Sequence, residues 1–148
     1  MISSLFSFSR AAVPAQNVPS FSFQNAFDEH VHWKLHFETA LRTEGIGYNA
    51  RQVLGGVGTT LAAWLDKTSS SDPSVGALRQ AFGEFHAAAA EALDLTQSGD
   101  PAAAHRVVTG GTYLRSSQRI KRLLVDLEKR RLRQPLGFEM AQRKVASA

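Results

Sequence analysis

Between residues 22 and 133, apolar side chains recur at intervals of three and four residues, the spacing that places them on one face of a helix. No stretch alternates apolar and polar positions in the manner of a half-buried strand. The pattern therefore predicts an all-α fold, an up-and-down four-helix bundle with a long basic C-terminal helix.

The first predicted helix runs from about Phe23 to Arg42, where a glycine-containing segment at Gly45 and Gly47 ends it. At 100° per residue, its apolar stripe contains one polar residue, a histidine: the stripe is Phe23, Phe27, His30, Phe37 and Leu41. His32 and His36 point to the opposite face, so we expect only His30 to face the core.

The second segment is predicted to be irregular. Asn49 is a candidate N-cap, but glycines at 55, 56 and 58 interrupt the sequence that follows it. We expect a helix to resume after Gly58 and to be buried through Leu61 and Trp64.

A cap followed by proline at the first helical position starts the third helix, at Asp72 and Pro73. This helix is expected to end near Gln97. Its stripe again contains one histidine among apolar residues: Val75, Leu78, Phe82, Phe85, His86, Ala89 and Leu93.

The same start signal at Asp100 and Pro101 begins the fourth helix, predicted to continue to Arg133 before Pro135 stops it. One seam is Ala103, Val107, Gly110 and Leu114, and it continues as Tyr113, Ser117, Ile120, Leu124 and Leu127. Because about thirty residues span roughly 45 Å, we expect the basic end to project beyond the bundle. Leu124 and Leu127 would then offer a homodimer seam.

The chain of 148 residues suits one domain, predicted at 22–133 between flexible tails at 1–21 and 134–148. The N-terminus lacks the basic region of a signal peptide, and no apolar run reaches the length of a membrane span. We therefore expect a cytoplasmic protein of a bacterial-type cell.

The chain contains no cysteine, which excludes disulfides, thiolate metal ligands and cysteine nucleophiles. The motifs GxSxG, GxxxxGK and HExxH are also missing, so the sequence favours a non-enzymatic function. Any metal would have to be bound by histidine or carboxylate side chains.

Charge is unevenly distributed. Residues 1–114 hold seven Lys and Arg against ten Asp and Glu, whereas residues 115–148 hold ten against three. The run EKRRLRQ could bind nucleic acid or an anionic membrane surface, but it has no interleaved aromatic residues for base stacking. The pattern favours a solubilising helix end, where cations oppose the helix dipole.

Three short motifs, in this order and spacing, resemble those of the chemoreceptor zinc-binding domain, a helical-bundle module of bacterial signalling proteins. The first is HxxW followed by a polar or basic residue, matched by His30, Trp33 and Lys34. The second, CxLGxW, is approximated by TTLAAW at 59–64, and the third, HxxxH, by FGEFH at 82–86. The likeness extends to YLRSSQRIKRLLVDLE in the fourth helix and covers roughly residues 23–130.

The resemblance implies zinc held by three histidines and one cysteine, and this chain keeps two of the four ligands, His30 and His86. Thr59 stands at the cysteine position and Phe82 at a histidine position. Since a threonine hydroxyl stays protonated near neutral pH and phenylalanine donates nothing, zinc binding is expected to be weakened or lost. The expected function is a sensory or regulatory module, with a chemotaxis or cyclic-dinucleotide signalling component as its protein partner.

The residues leave other interpretations open. His30 and His86 can be core histidines hydrogen-bonded to each other, to Thr59 or Thr60, or to water, in a structural or protein-interaction bundle without metal. The pair could also respond to pH. His32 and His36 have the i, i+4 spacing of an adventitious metal site, but their outer position favours a solvated face.

Overall fold

The computed structural model describes residues 21–133, and its regular structure is entirely helical. The helices are α1 (Phe23–Leu41), α2 (Ala50–Leu54), α3 (Thr60–Lys67), α4 (Pro73–Gln97), α5 (Pro101–Val108) and α6 (Gly111–Arg133). The all-α prediction is confirmed for this part of the chain. The tails predicted at 1–21 and 134–148 lie outside it, except for Phe21, which stacks on Trp64 with ring centroids 4.9 Å apart. Phe21 therefore belongs to the packed domain.

The predicted helix starts are confirmed because each cap acts locally. The side chain of Asn49 accepts hydrogen bonds from the backbone N–H groups of Arg51 and Gln52. Asp72 and Asp100 do the same for Ser74 and Ala103, each with a proline at the first helical position. The second segment is broken as expected, with α2 and α3 separated by the glycine-containing residues 55–59.

The prediction of one continuous helix from 101 to 133 is wrong. The helix ends at Val108 and a new one begins at Gly111, whose backbone φ of +59° lies in the left-handed region that favours glycine. On the N-terminal side of this break, the buried positions differ from the predicted seam. Ala103 and Val107 are only partly buried, and Ala104 is buried instead.

The basic end of α6 lies beside the start of α4 as far as Arg130. At 23 residues, α6 is shorter than the 25-residue α4 on which it packs. Leu124 and Leu127 are 1% and 2% exposed and belong to the chain's own core. Arg130 forms an ion pair with Asp72 at the start of α4, at 3.3 Å. The predicted homodimer seam through these two leucines is therefore wrong.

Helix α4 is the central element of the domain and packs against α2, α5 and α6, while α6 also packs along α1. The core holds every member of the predicted α4 stripe. Trp64, predicted to be buried, is only half-buried, and its ring lies against Phe21 and Phe23. Within residues 21–133, no helix has the length and apolar character needed to cross a membrane.

Candidate functional site

His30 lies in the core, as its position on the α1 stripe predicts, and is 6% exposed. Its Nε2 atom is 2.8 Å from the hydroxyl oxygen of Ser117 on α6. Its ring meets the Phe85 ring edge-on, with centroids 4.7 Å apart. The imidazole thus connects α1 to α6 by a buried hydrogen bond, while α4 supplies the apolar wall beside it.

His86, on α4, is 1% exposed and is surrounded by aromatic rings. The centroids of Phe82, Trp33 and Phe85 lie 4.3, 4.8 and 5.0 Å from the His86 centroid. Its Nδ1 atom has no hydrogen-bond partner in the described part of the chain. Removing a polar atom of this kind from solvent carries a desolvation penalty.

Burial holds both imidazoles in the neutral form. Loss of solvation lowers the pKa of His30 from 6.5 to about 3, and nearby positive charge, first from His86 and then from Lys121 and Lys34, adds to the effect. Loss of solvation also lowers the pKa of His86 to about 4, with the Val53 backbone acting in the opposite direction. At neutral pH the two rings are therefore uncharged.

The hydroxyl group of Thr59 is used within the turn that contains it. Its oxygen donates a hydrogen bond to the Gly56 carbonyl at 2.8 Å and accepts one from the Ala62 backbone N–H at 3.2 Å. The second bond makes Thr59 the N-cap of α3. The residue at the expected cysteine position is thus a local structural element of the chain.

Phe82 fills the volume beside His86 with an apolar ring. The turn at Gly56 closes over both side chains, with backbone φ at +62°. A Cβ atom at position 56 would overlap the Phe82 ring and lie 3.4 Å from Nε2 of His86. Glycine is therefore required here for two reasons, its left-handed backbone and the close approach of the turn to the ring.

These residues do not fit a closed, four-coordinate zinc site. Among the residues that the structure describes, no three His, Cys, Asp or Glu side chains are grouped so that they could hold a metal ion. Phe82 donates nothing, and both the Thr59 hydroxyl and Nε2 of His30 already have protein partners. The structure brings His30 and His86 into one aromatic cluster without the other two donors.

The other histidines lie apart from this cluster. His32 and His36 are exposed on the outer face of α1, as predicted, and Nδ1 of His32 hydrogen-bonds the Asp28 carbonyl at 2.9 Å. His105 is exposed on α5. The expected solvated face is therefore confirmed for the pair on α1.

Sequence reasoning missed the partner of His30. Thr59 and Thr60 were the expected hydroxyl groups, but Thr60 bonds Glu29 through both its backbone N–H and its side chain. Ser117 is a member of the predicted α6 seam, and a serine among apolar seam positions is the signal that could have identified it. The partner lies 87 residues along the chain, beyond the reach of local patterns.

A second polar contact, partly buried, joins the same two helices. The hydroxyl group of Tyr113, on a fully buried ring of α6, donates to Glu38 of α1 at 3.1 Å, and Lys34 pairs with Glu38 at 2.7 Å. Burial, reinforced by the Glu38 charge, raises the pKa of Tyr113, so the phenol remains a donor. The α1–α6 contact therefore carries one buried and one partly buried hydrogen bond.

No family model, curated protein or solved structure matches the chain.

Proposed function

We propose that the chain is a non-enzymatic sensory or regulatory module of a bacterial-type cytoplasm, a four-helix bundle resembling the chemoreceptor zinc-binding domain in which zinc binding is weakened or lost. The observation that carries the proposal is the Phe82 ring, whose centroid lies 4.3 Å from that of His86 where the resemblance expects a metal ligand. A bundle with apolar volume at a ligand position is held in one packing arrangement without metal.

The hydrogen bonds of His30 and Thr59 support the same conclusion. His30 binds Ser117, and Thr59 caps α3, so each polar atom at these positions serves the fold of the chain. Switching by metal would require ligands on separate helices to be drawn together when the ion binds. A module of this kind would instead respond through a protein partner, for which a signalling component is the proposed class.

Zinc titration by calorimetry on metal-free protein tests the loss of zinc binding. We expect no saturable heat with the wild-type chain, and His30→Ala and His86→Ala should each destabilise the fold. Saturable binding of one zinc ion that either substitution abolishes would overturn the proposal and restore the zinc-sensor interpretation.

A reconstruction tests the resemblance separately. The double variant Thr59→Cys/Phe82→His supplies the two missing donors, and if the chain keeps the zinc bundle geometry, it should bind one zinc ion saturably. The matched control is Thr60→Cys/Phe82→His, which places the thiol on the adjacent exposed residue. Equal zinc affinity in the two variants, or none in either, would contradict the resemblance.

The second candidate is a structural or protein-interaction bundle without a sensory role. It is favoured by exposed apolar side chains around the broken second segment, where Ile46, Leu54 and Val57 are 75%, 55% and 65% exposed. Large exposed apolar side chains often mark interaction surfaces. No zinc heat, combined with large stability losses in both histidine variants and no zinc binding by the reconstructed variant, favours this candidate.

A further inference from the structure

A row of five cations, interrupted by one aspartate, lies along the solvent face of α6, opposite the face that packs on α1 and α4. The intervals are four, three, four, three and four residues, which keep the side chains on one side of a helix. The row, named here the α6 row, is Arg115, Arg119, Arg122, Asp126, Lys129 and Arg133, and every member is exposed. From Arg115 to Arg133 the row covers 18 helical steps, about 27 Å at 1.5 Å per residue.

The five cations of the row are free of ion pairs within residues 21–133. The ion pairs of α6 involve Arg130 with Asp72 and Arg131 with Glu128, both outside the row. Arg133 makes a hydrogen bond to the Lys129 carbonyl at 3.4 Å, which leaves its charge uncompensated. Four of the five cations are arginines, whose planar guanidinium groups suit two-point contacts with phosphate.

We propose that the α6 row is a binding surface for the phosphate backbone of double-stranded nucleic acid, read without sequence preference. The binding free energy that these charges can supply distinguishes an acidic protein from a nucleic-acid duplex as the anionic partner. An exposed ion pair with a protein carboxylate contributes about 0–1 kcal/mol, so five of them would not offset the entropy lost on association. A duplex releases condensed counterions at each neutralised phosphate, so charge alone gives measurable affinity.

The remaining features of α6 agree with backbone contact. Its one aromatic residue, Tyr113, is fully buried, so the exposed face has no platform on which single-stranded bases could stack. A membrane-surface helix turns its apolar face toward the lipid, but the apolar face of α6 is packed into the core. Outside that core, only Val125 and Leu132 are large, apolar and exposed on α6.

Asp126 divides the row and makes the proposal sharper. Its carboxylate opposes phosphate contact in the middle of the row, so Asp126→Asn should strengthen binding. Removal of Arg119 and Arg122 should weaken it. The two substitutions act in opposite directions at the same surface, which a loss of folding could not reproduce.

The experiment is fluorescence anisotropy of a labelled 20-base-pair random-sequence DNA duplex, titrated with the full chain between about 50 and 200 mM salt. With five phosphate contacts, log Kd should change with log salt with a slope of about 4.5, so affinity falls about 500-fold over this range. Arg119→Gln/Arg122→Gln should lower the slope by about 2 and weaken binding for every duplex sequence. The same titration with an RNA duplex shows whether DNA or RNA binds more tightly to the row.

The matched control is Arg51→Gln/Lys67→Gln, which removes the same charge from exposed positions on α2 and α3. Circular dichroism and thermal melting confirm that each variant is folded. The proposal is overturned by no binding at 50 mM salt, by equal losses in the row and control variants, or by an unchanged affinity in Asp126→Asn. It is also overturned if polyglutamate or vesicles with anionic lipid bind as tightly as the duplex.

Discussion

The buried histidines make the stability of the fold depend on pH. In the folded chain, the pKa of His86 is about 4 and that of His30 about 3, against 6.5 for each when exposed. Between these values and 6.5 the unfolded chain binds more protons than the folded chain. Stability is therefore complete above pH 6.5 and is lost as the pH falls toward 4.

The size of the effect follows from the same values. At pH 5, an imidazole with an unfolded pKa of 6.5 is mostly protonated in the unfolded chain and neutral in the core. This difference of about 1.5 pH units corresponds to about 2 kcal/mol for each histidine. The free energy of unfolding should therefore fall by about 4 kcal/mol between pH 8 and pH 5. Carboxylates with ordinary pKa values stay ionised over this range.

Urea denaturation followed by circular dichroism at pH 8, 7, 6 and 5 measures this dependence. His86→Leu should remove half of it and leave the protein more stable than wild type at pH 5, because leucine replaces a ring whose Nδ1 has no partner in the described chain. The control His36→Gln, at an exposed position, should keep the full dependence. A free energy of unfolding that is level between pH 8 and 5, or unchanged by His86→Leu, would refute the reasoning.

Three further substitutions test individual contacts, each by urea denaturation at pH 7.5. Gly56→Ala should lower the free energy of unfolding by about 2–4 kcal/mol, because its backbone is left-handed and the new Cβ atom overlaps Phe82. Gly58→Ala, at a position with positive φ but open space, should lose only the contribution from the backbone. Equal losses in the two variants would exclude the ring contact. Ser117→Ala should lower the free energy of unfolding by about 1–3 kcal/mol, because His30 loses its hydrogen-bond partner. A smaller loss is expected for Ser116→Ala, whose hydroxyl group donates to a carbonyl of its own helix. The reverse order would contradict Ser117 as the partner of His30. Thr59→Ala should lower the free energy of unfolding by about 1 kcal/mol through loss of the α3 cap. Thr59→Ser keeps a capping hydroxyl group and should retain most of the wild-type stability. A serine variant as unstable as the alanine variant would argue against capping.

Features of the fold that depend on neighbouring residues could be predicted from the sequence. The caps at Asn49, Asp72 and Asp100 act on N–H groups two or three residues ahead, so local sequence is sufficient to identify them. The inward positions of His30 and His86 follow from helical periodicity, which depends only on spacing along one element.

The features that were mispredicted depend on how the elements pack. The break before Gly111 was missed because one apolar spacing fitted both sides of it, and only the three-dimensional structure shows that the inward face shifts there. The homodimer seam was inferred from the length of the predicted fourth helix, whereas Leu124 and Leu127 lie in the chain's own core.

The basic run of the sequence coincides only in part with the α6 row. The run EKRRLRQ contains the most densely spaced cations, but Arg130 and Arg131 form ion pairs with Asp72 and Glu128. Lys129 and Arg133 belong both to this run and to the α6 row, whereas Arg115, Arg119 and Arg122 are spaced so that no short run identifies them. Charge density along the sequence therefore identifies only part of the α6 row.

We propose that His30 and His86 form a neutral, metal-independent part of the core. Nitrogen-15 spectra of the imidazole groups at pH 7, recorded before and after one equivalent of zinc is added, test this most directly. We predict that both buried rings give neutral-tautomer signals that zinc leaves unchanged, while any perturbation is confined to the exposed His32 and His36. Zinc-induced shifts of the His30 and His86 nitrogens to metal-bound values would contradict the account.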